Sequence, residues 1–432
     1  MALFDDLSWR GLVYDTTEEL PALLDRQALT VYIGFDPTAS SLHVGSLLPL
    51  MMLARVQQAG HVPIAIMGGG TGMIGDPSGK SEERTLLSRD QIDANLEGIR
   101  AQVERVLRFD GPHAARIVNN ADWLASIDVM TFLRDIGKHF TVNYMLQKES
   151  VSRRLDSREG ISFTEFSYLL LQAYDFLQVF DRFGCTVQMG GSDQWGNITA
   201  GIDLIRRLRG ARAHGLVMPL VMSATGTKFG KTEVGTVWLD PARTSAFRFF
   251  QFWLNTDDRD VARYLKFFTF MGRDEIDSLV SRASEQPERR EAQRTLARDV
   301  TGLVHGQEAS RRAEHASAVL FSEDIASLPA DDVLAVYQDV PKTDVPASDL
   351  ARGVPLVELV ARAGLAPSKS EARRLVQSGG VYVNNRRVTD PQEHVRLEQA
   401  MGGRFLILRK GQKQNHLVRL TAGGDDVGSS PA

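Results

Sequence analysis

The sequence predicts an α/β protein: a parallel, doubly wound sheet with a helical insertion, then a helical stretch, then a small basic α+β domain. Three observations lead there. Five short apolar runs, Thr30 to Phe35, Val62 to Met67, Arg116 to Asn119, Thr186 to Met189 and Leu216 to Met222, have strand length and lie between helical patterns, as in strands joined by helical crossovers. Gly-rich turns and polar residues follow these runs, at the carboxyl ends where such sheets bind ligands. The third observation is charge. Val354 to Leu420 holds twelve Lys or Arg against five Asp or Glu, a balance of +7, while the whole chain stands at -4 and its first 353 residues at -9. An acidic body with a basic appendage suggests that the appendage meets a polyanion.

At 432 residues the chain exceeds one ordinary domain, and two or three are expected. Residues 1–235 read as the sheet domain, with the mostly helical insertion at about 122–183. Residues 236–340 read as helical, and the aromatic run Phe247 to Trp253 has the spacing of a core helix rather than of a base-stacking platform. Pro, Asp and Ala mark 341–353 as a linker. The basic domain spans 354–420. In it Ser368-Lys369-Ser370-Glu371 reads as a capping box, Gly379-Gly380 ends that helix, and Val381 to Val388 reads as a hairpin turning at Asn384-Asn385. The tail 421–432 has a disordered composition.

Composition also excludes. A single cysteine, Cys185, leaves no disulfide framework and no cysteine-ligated metal site within one chain, which favours a reducing cytosol. The N-terminus lacks a secretory pattern, and no apolar stretch approaches membrane-spanning length. A cytoplasmic protein without membrane attachment is expected.

The densest signal is Tyr32 to Ser46 (YIGFDPTASSLHVGS), a strand, a Pro-containing turn and a helix start, paired with the cationic Lys228-Phe229-Gly230-Lys231-Thr232 far downstream. A helix N-terminus offers free N–H groups and a positive dipole end to phosphate. Gly45 admits a flat ring close to the backbone, Thr38 and His43 can donate to phosphate oxygens, and Lys228 and Lys231 can neutralise a departing pyrophosphate. In the helix predicted from Ser162 to Val179, Tyr168, Gln172 and Asp175 share one face. By itself such a stripe is more often a solvent face, an isolated histidine is more often structural, and lysines more often serve solubility.

The two paired segments resemble the nucleotide motifs of class I aminoacyl-tRNA synthetases. With Gly68 to Lys80 (GGGTGMIGDPSGK), Ile161 to Leu177 (ISFTEFSYLLLQAYDFL) and Met189 to Asn197 (MGGSDQWGN), the chain is similar to the bacterial-type tyrosyl-tRNA synthetases up to about Leu420. It departs from the usual motifs at Ser46, where the family has His, and at Phe229 and Gly230, where the class pattern has Met and Ser.

The resemblance implies a Rossmann-like catalytic domain, an anticodon-side helical domain and an alpha-L RNA-binding domain like that of a ribosomal small-subunit protein. It implies tyrosine activation by ATP to tyrosyl-adenylate, then transfer to tRNA. Tyr168, Gln172 and Asp76 would meet the amino group of tyrosine, Asp175 and Tyr32 its phenol, and Asn120 would line the pocket. Gly34, Asp36, Gly45, Ser46, Gly191, Asp193 and Gln194 would bind ATP or adenylate. Thr38, His43, Lys228, Lys231 and Thr232 would stabilise the transferring phosphate. Arg373, Arg374, Arg386 and Arg387 would meet tRNA. Magnesium is expected with ATP, with no tightly bound cofactor and no dedicated metal cage. The insertion would carry a homodimer interface.

Three alternatives stand beside this reading. A tryptophanyl enzyme shares the fold, but Tyr32, Gln172 and Asp175 favour a phenol over an indole. A non-catalytic RNA-binding relative would have lost the phosphate contacts, yet His43, Lys228 and Lys231 are present. A Rossmann dehydrogenase would need a G-x-G-x-x-G and a distant acid that Gly68 to Gly75 does not supply.

Overall fold

The computed structural model describes residues 2–78, 86–155, 160–224, 226, 229–232, 235–319, 325, 328–337, 340–411 and 414–421, with backbone only at 149, 150, 153, 231, 232, 319, 332, 335 and 336. It divides into two units: residues 1–244 with 252–305, and residues 245–251 with 306–432.

The first unit is built on six strands: β1 (Asp15–Thr16), β2 (Thr30–Phe35), β3 (Val62–Met67), β4 (Arg116–Asn119), β5 (Cys185–Gly191) and β6 (His214–Met218). Their order in the sheet is β1-β6-β5-β2-β3-β4. All neighbours run parallel except β1, which pairs antiparallel with β6. The apolar runs at β2, β3 and β4 have the bounds the sequence predicts, whereas the two-residue β1 is too short to leave a pattern. The chain winds one way through β2, β3 and β4 and the other through β5 and β6. The β2/β5 boundary is therefore the switch point, and a crevice opens there at the carboxyl ends.

Both faces of the sheet are covered. On one, Tyr32, Ile64 and Ile66 pack with Leu169, Ala173, Phe176 and Leu177 of the helix Phe163–Phe183 and with Ala200, Leu204 and Ile205 of the helix Trp195–Arg209. The helix Val44–Gln58 is buried along almost its whole length, from Val44 through Gln57. Such burial on all sides explains why it reads as a continuous apolar run rather than an amphipathic stripe. The insertion is a series of short helices, Ala121–Leu124, Val129–Thr131, Val142–Leu146 and Glu149–Leu155, leading into the long helix Phe163–Phe183. Ser162 caps the latter by accepting from the Glu165 N–H. Val129, Met130 and Phe163 of this region stand 71%, 75% and 78% exposed.

The second unit contains a five-stranded sheet in the order Arg386–Val388, Val381–Val383, Phe405–Lys410, Gln414–Thr421, Lys342–Pro346. The strand Phe405–Lys410 shows why its first four residues are all apolar. Leu406 and Leu408 enter one core with Leu356, Leu359 and Val376, while Phe405 and Ile407 enter another with Ala316, Ile325, Val333 and Tyr337. Successive residues of a strand face opposite sides, and both sides here are covered.

Ser368 caps the helix Lys369–Gln377, as the sequence predicts, by accepting from the Glu371 N–H. Asn384 and Asn385 turn the hairpin with φ of 48° and 62°, the left-handed pair a two-residue hairpin requires.

Two readings of the middle of the chain need correction. Residues 341–353 are not a free linker: Lys342–Pro346 is an edge strand paired in parallel with Gln414–Thr421, and Ala347–Arg352 is a short helix. Proline tolerance at edge strands hides this segment from compositional reading. The helical stretch 236–340 is likewise divided, with residues 252–305 in the first unit and 245–251 and 306 onward in the second. The tail 422–432 lies outside the described residues.

Candidate active site

A cavity of about 230 Å³ opens at the β2/β5 switch point, lined by Tyr32 to Phe35 of one strand and Asp36 just beyond it, Gln188 to Gly191 from the other, and Tyr168, Gln172 and Asp175 from the helix Phe163–Phe183. The one-face stripe of that helix is not a solvent face: Tyr168 and Asp175 are 5% and 4% exposed. At about 1.5 Å rise per residue their seven-residue spacing places them roughly 10 Å apart along the helix. That spacing suits a ligand with a polar group at each end.

At the Asp175 end, the carboxylate accepts from Asn120 Nδ2 at 2.8 Å and from the Trp123 indole N–H at 2.6 Å. Asn120 is itself held, donating to Thr71 Oγ1 and accepting from the Gly70 N–H. Burial pushes the Asp175 carboxyl up to about 7, against the opposing effect of the bonds from Asn120 and Trp123. Burial, with the nearby Asp175 charge, raises the Tyr32 phenol well above its ordinary value, so this hydroxyl stays protonated. Tyr32 OH and Gln188 Oε1 are both buried without a protein partner, and the two residues are direct neighbours across β2 and β5. Both residues line the cavity, and a polar ligand would satisfy atoms of this kind.

At the other end, Asp76 is buried and accepts from Gln194 Nε2 at 2.7 Å and from the Ser78 N–H at 2.9 Å. Gln194 in turn accepts from Gln172 Nε2 at 3.2 Å, and Asn197 Nδ2 donates to Gln172 Oε1 at 2.9 Å. Tyr168 OH donates to Asp36 Oδ2 at 3.1 Å, and Thr71 Oγ1 donates to Asp36 Oδ1 at 2.9 Å. Among the described residues three carboxylates, Asp36, Asp76 and Asp175, line the cavity, and no Lys or Arg does. Such a lining favours a cationic group on the ligand.

The end beside the helix Val44–Gln58 is more open. His43 is exposed and caps the helix Val44–Gln58, its Nδ1 accepting from the Gly45 N–H at 2.9 Å. Thr38 is exposed, and Gly45 and Ser46 form the half-buried first turn of the helix. A side chain at Gly45 would strike the His43 ring, 2.7 Å from its nearest atom. Gly191 leads into the short turn Ser192–Gln194 that carries Asp193, and a side chain there would meet Asp193 Oδ1 at 2.6 Å. Gly34 is the exception, since a side chain would meet nothing within 4 Å; any need for glycine there comes from a ligand rather than from the fold.

The distant second motif meets the first. Val44 N–H donates to Val237 O and Leu239 N–H to Leu42 O, so the chain just after the cationic segment zips against the entrance of the helix. Lys231 pairs with Thr236 in a small antiparallel ladder. Lys228 lies outside the described residues, as do the side chains of Lys231 and Thr232.

In the second unit, Arg373 and Arg374 are exposed and line an open cleft of about 750 Å³ with Lys369 and His394. Arg386 pairs with Glu393 at 3.1 Å. Arg387 has a structural task, donating to Gly379 O at 2.8 Å beyond the end of the preceding helix. The four arginines thus do not form one cluster of free charges.

Sequence reasoning missed Thr71, Trp123, Gln188 and Asn197. Thr71 and Asn197 lay inside quoted motifs, and Gln188 is a polar residue in the middle of an apolar strand, a usable signal. Trp123 had none: its contact with Asp175 joins residues 52 apart.

Comparison with known proteins agrees with this geometry. Residues 24–322 match the model of the tRNA synthetases class I (W and Y), and residues 332–418 match the tyrosine--tRNA ligase SYY-like C-terminal domain. A tyrosine--tRNA ligase of Roseiflexus castenholzii is 55% identical over 97% of this chain and 99% of its own length. That of Geobacillus stearothermophilus is 53% identical over 97% and 100%. Among solved structures, a C-terminally truncated mitochondrial tyrosyl-tRNA synthetase of Aspergillus nidulans superposes with a TM-score of 0.68 at 30% identity, covering 74% of this chain and 94% of that one. A tryptophanyl-tRNA synthetase of Encephalitozoon cuniculi, at TM-score 0.53 and 15% identity, shares the fold alone. With a family model over most of its length and relatives above half identity from end to end, this chain belongs to the class I tRNA synthetases, among the bacterial-type tyrosyl-tRNA synthetases.

Proposed function

We infer that the chain is a tyrosine--tRNA ligase: it joins L-tyrosine to ATP, giving tyrosyl-adenylate and pyrophosphate, then passes the tyrosyl group to the 3'-terminal adenosine of tRNA(Tyr) and releases AMP. The observation that carries this is the cavity at the switch point, with the unpartnered Tyr32 hydroxyl beside Asp175 at one end and a carboxylate-rich amide network at the other. Its two ends suit a phenol and an ammonium. Asp175 and Tyr32 take the phenol hydroxyl, Asp76, Tyr168 and Gln172 the ammonium, and Asn120 holds Asp175 in place. Phenylalanine would leave buried polar groups without a partner, at about 1–3 kcal/mol each or more for a charge.

The tyrosine carboxylate is already ionised near neutral pH and attacks the α-phosphate without a general base. Catalysis then comes from placement and from charge stabilisation. Asp36 and Gln194 contact the adenylate and Asp193 the ribose, with Gly34, Gly45 and Gly191 allowing close approach. Ser46 lies beside them in the first turn of the helix. Thr38 and His43 act on the phosphates from one side and Lys228, Lys231 and Thr232 from the other. Magnesium enters as part of the ATP substrate.

Transfer needs tRNA, and the open basic cleft with Arg373 and Arg374 supports phosphate contact there; Arg386 and Arg387 are further contacts in this reading. The exposed Val129, Met130 and Phe163 support a homodimer interface in the insertion. A cytoplasmic enzyme fits the single, buried Cys185, and among the described residues no helix is long and apolar enough to cross a membrane.

Exchange between ATP and pyrophosphate, measured with tyrosine, tryptophan or phenylalanine, tests the reading. Tyrosine alone should support rapid exchange. Preference for tryptophan, or no exchange with any of the three, overturns it.

A further inference from the structure

The cationic segment carries two of the chain's three departures from the usual motifs, Phe229 and Gly230, and both have a structural use. Phe229 is 8% exposed and sits in an aromatic socket. Its ring stacks on Phe268 at 5.3 Å and an interplanar angle of 15°, and packs edge-on against Tyr264 at 5.0 Å, with Trp253 at 5.7 Å. Gly230 follows with φ of 81°, and a side chain there would come within 2.7 Å of Val44 Cγ2. The backbone thus turns from the socket directly onto the first turn of the helix Val44–Gln58, where Val237 N–H closes it on Gly230 O at 3.1 Å.

Trp253 comes to the socket from the helix Ala246–Leu254, and Tyr264 and Phe268 come from the helix Asp258–Phe268, which also holds the chain just before this segment. Asp260, buried at 3% exposure, accepts from the Ala224 N–H at 2.7 Å. Arg263 ties Asp260 to Met222 O. Asp260, Tyr264 and Phe268 recur every four residues and so form one face.

The far end of this helix is fixed in turn. Arg55 donates to Thr269 O at 2.5 Å, and Arg10 donates to Met271 O at 2.7 Å. Arg55 stands on the helix Val44–Gln58 whose first turn is the phosphate-binding end. The two nucleotide motifs are therefore mounted on one frame.

We propose that the helix Asp258–Phe268 is the platform that positions the second nucleotide motif for adenylate formation, with Phe229 and Asp260 as positioning residues. This rests on the reading of the site given above. Lys228 and Lys231 flank the pinned pair Phe229-Gly230 in sequence, and their long side chains have many rotamers. Fixing the backbone between them narrows where the two ammonium groups can lie, and a misplacement of about 1 Å in such a group costs on the order of a hundredfold in rate.

Full-length Phe229→Ala, Phe229→Met, Asp260→Asn and Lys231→Ala are compared by tyrosine-dependent pyrophosphate exchange, alone and with Lys231→Ala combined with each of Phe229→Ala and Asp260→Asn. Phe229→Ala should lower kcat by about 30-fold to 100-fold with the KM for tyrosine within about twofold, and Phe229→Met should restore most of the rate. Asp260→Asn should lower kcat in the same sense, and serves if Phe229→Ala does not fold. In the Lys231→Ala background either change should cost only about threefold further, because the group it positions is gone. Full exchange rates in folded Phe229→Ala and Asp260→Asn, or losses that multiply with that of Lys231→Ala, overturn the platform while leaving the site intact. A wild-type rate for Lys231→Ala overturns the reading of the site itself, and the platform with it.

Discussion

The cavity of the first unit and the basic cleft of the second are, under the proposed function, opposite ways to bind. The cavity is about 230 Å³, and its polar side chains are buried or half-buried and bonded mostly to one another. The cleft is about 750 Å³ and presents exposed Lys369, Arg373 and Arg374 to solvent. In the first, a wrong ligand leaves desolvated groups unpaired, so discrimination is steep and salt matters little. In the second, charges in high dielectric give an attraction that is broad, additive and screened by salt. Under the proposed function, small-molecule selection and polyanion docking call on different physics within one chain.

The sharpest way to break this contrast is Asp175→Ala. It removes the acceptor of two buried donors and of the phenol, so the kcat/KM preference for tyrosine over phenylalanine should fall about tenfold to a hundredfold. An unchanged preference in a folded variant would show that the cavity does not select by its buried carboxylate.

Titration sharpens the same point. With its carboxyl raised to about 7, Asp175 is increasingly protonated below that pH and then accepts the phenol hydrogen bond less well. Tyrosine affinity should therefore weaken as pH falls from about 8 to about 6, by at most about tenfold per unit below 7. The sign for folding is the reverse. A carboxyl whose folded value lies above its unfolded one costs stability as pH rises from about 4 through 7, and Asp175→Asn should remove both slopes. Equilibrium dialysis and thermal melts across pH check the two halves.

Replacing both Arg373 and Arg374 by Ala should raise the KM for tRNA several-fold to about tenfold and flatten its dependence on salt, leaving pyrophosphate exchange unchanged. Equal damage to both steps would erase the distinction between cavity and cleft. Removing everything after 351 is a poorer test, because the strands beyond it complete the core that holds Ile325, Val333 and Tyr337.

The smallest effect expected is that of Ser368→Ala. Loss of the cap on the Glu371 N–H should cost about 0.5–2 kcal/mol of stability, seen as a lower melting temperature, with tyrosine selectivity untouched.

Local physics was legible in the sequence. Strands β2, β3 and β4, the Ser368 cap and the Asn384-Asn385 turn each depend on a few adjacent residues, and so does the grouping of Tyr168, Gln172 and Asp175 on one helix face. The role of that face was not so determined: periodicity fixes which residues share a side, and only packing against β2 decides that the side is a cavity wall rather than solvent. The strand Lys342–Pro346 was equally hidden, because its partner begins at Gln414. Contacts that join distant residues depend on how strands and helices are laid against one another, and no local pattern encodes that. Trp123 on Asp175, Asp260 on Ala224 and Phe229 in its socket are of this kind. The sequence by itself supplied the motifs and the sheet; the tertiary structure decided which residues hold them in place, since such holding is a property of long-range packing.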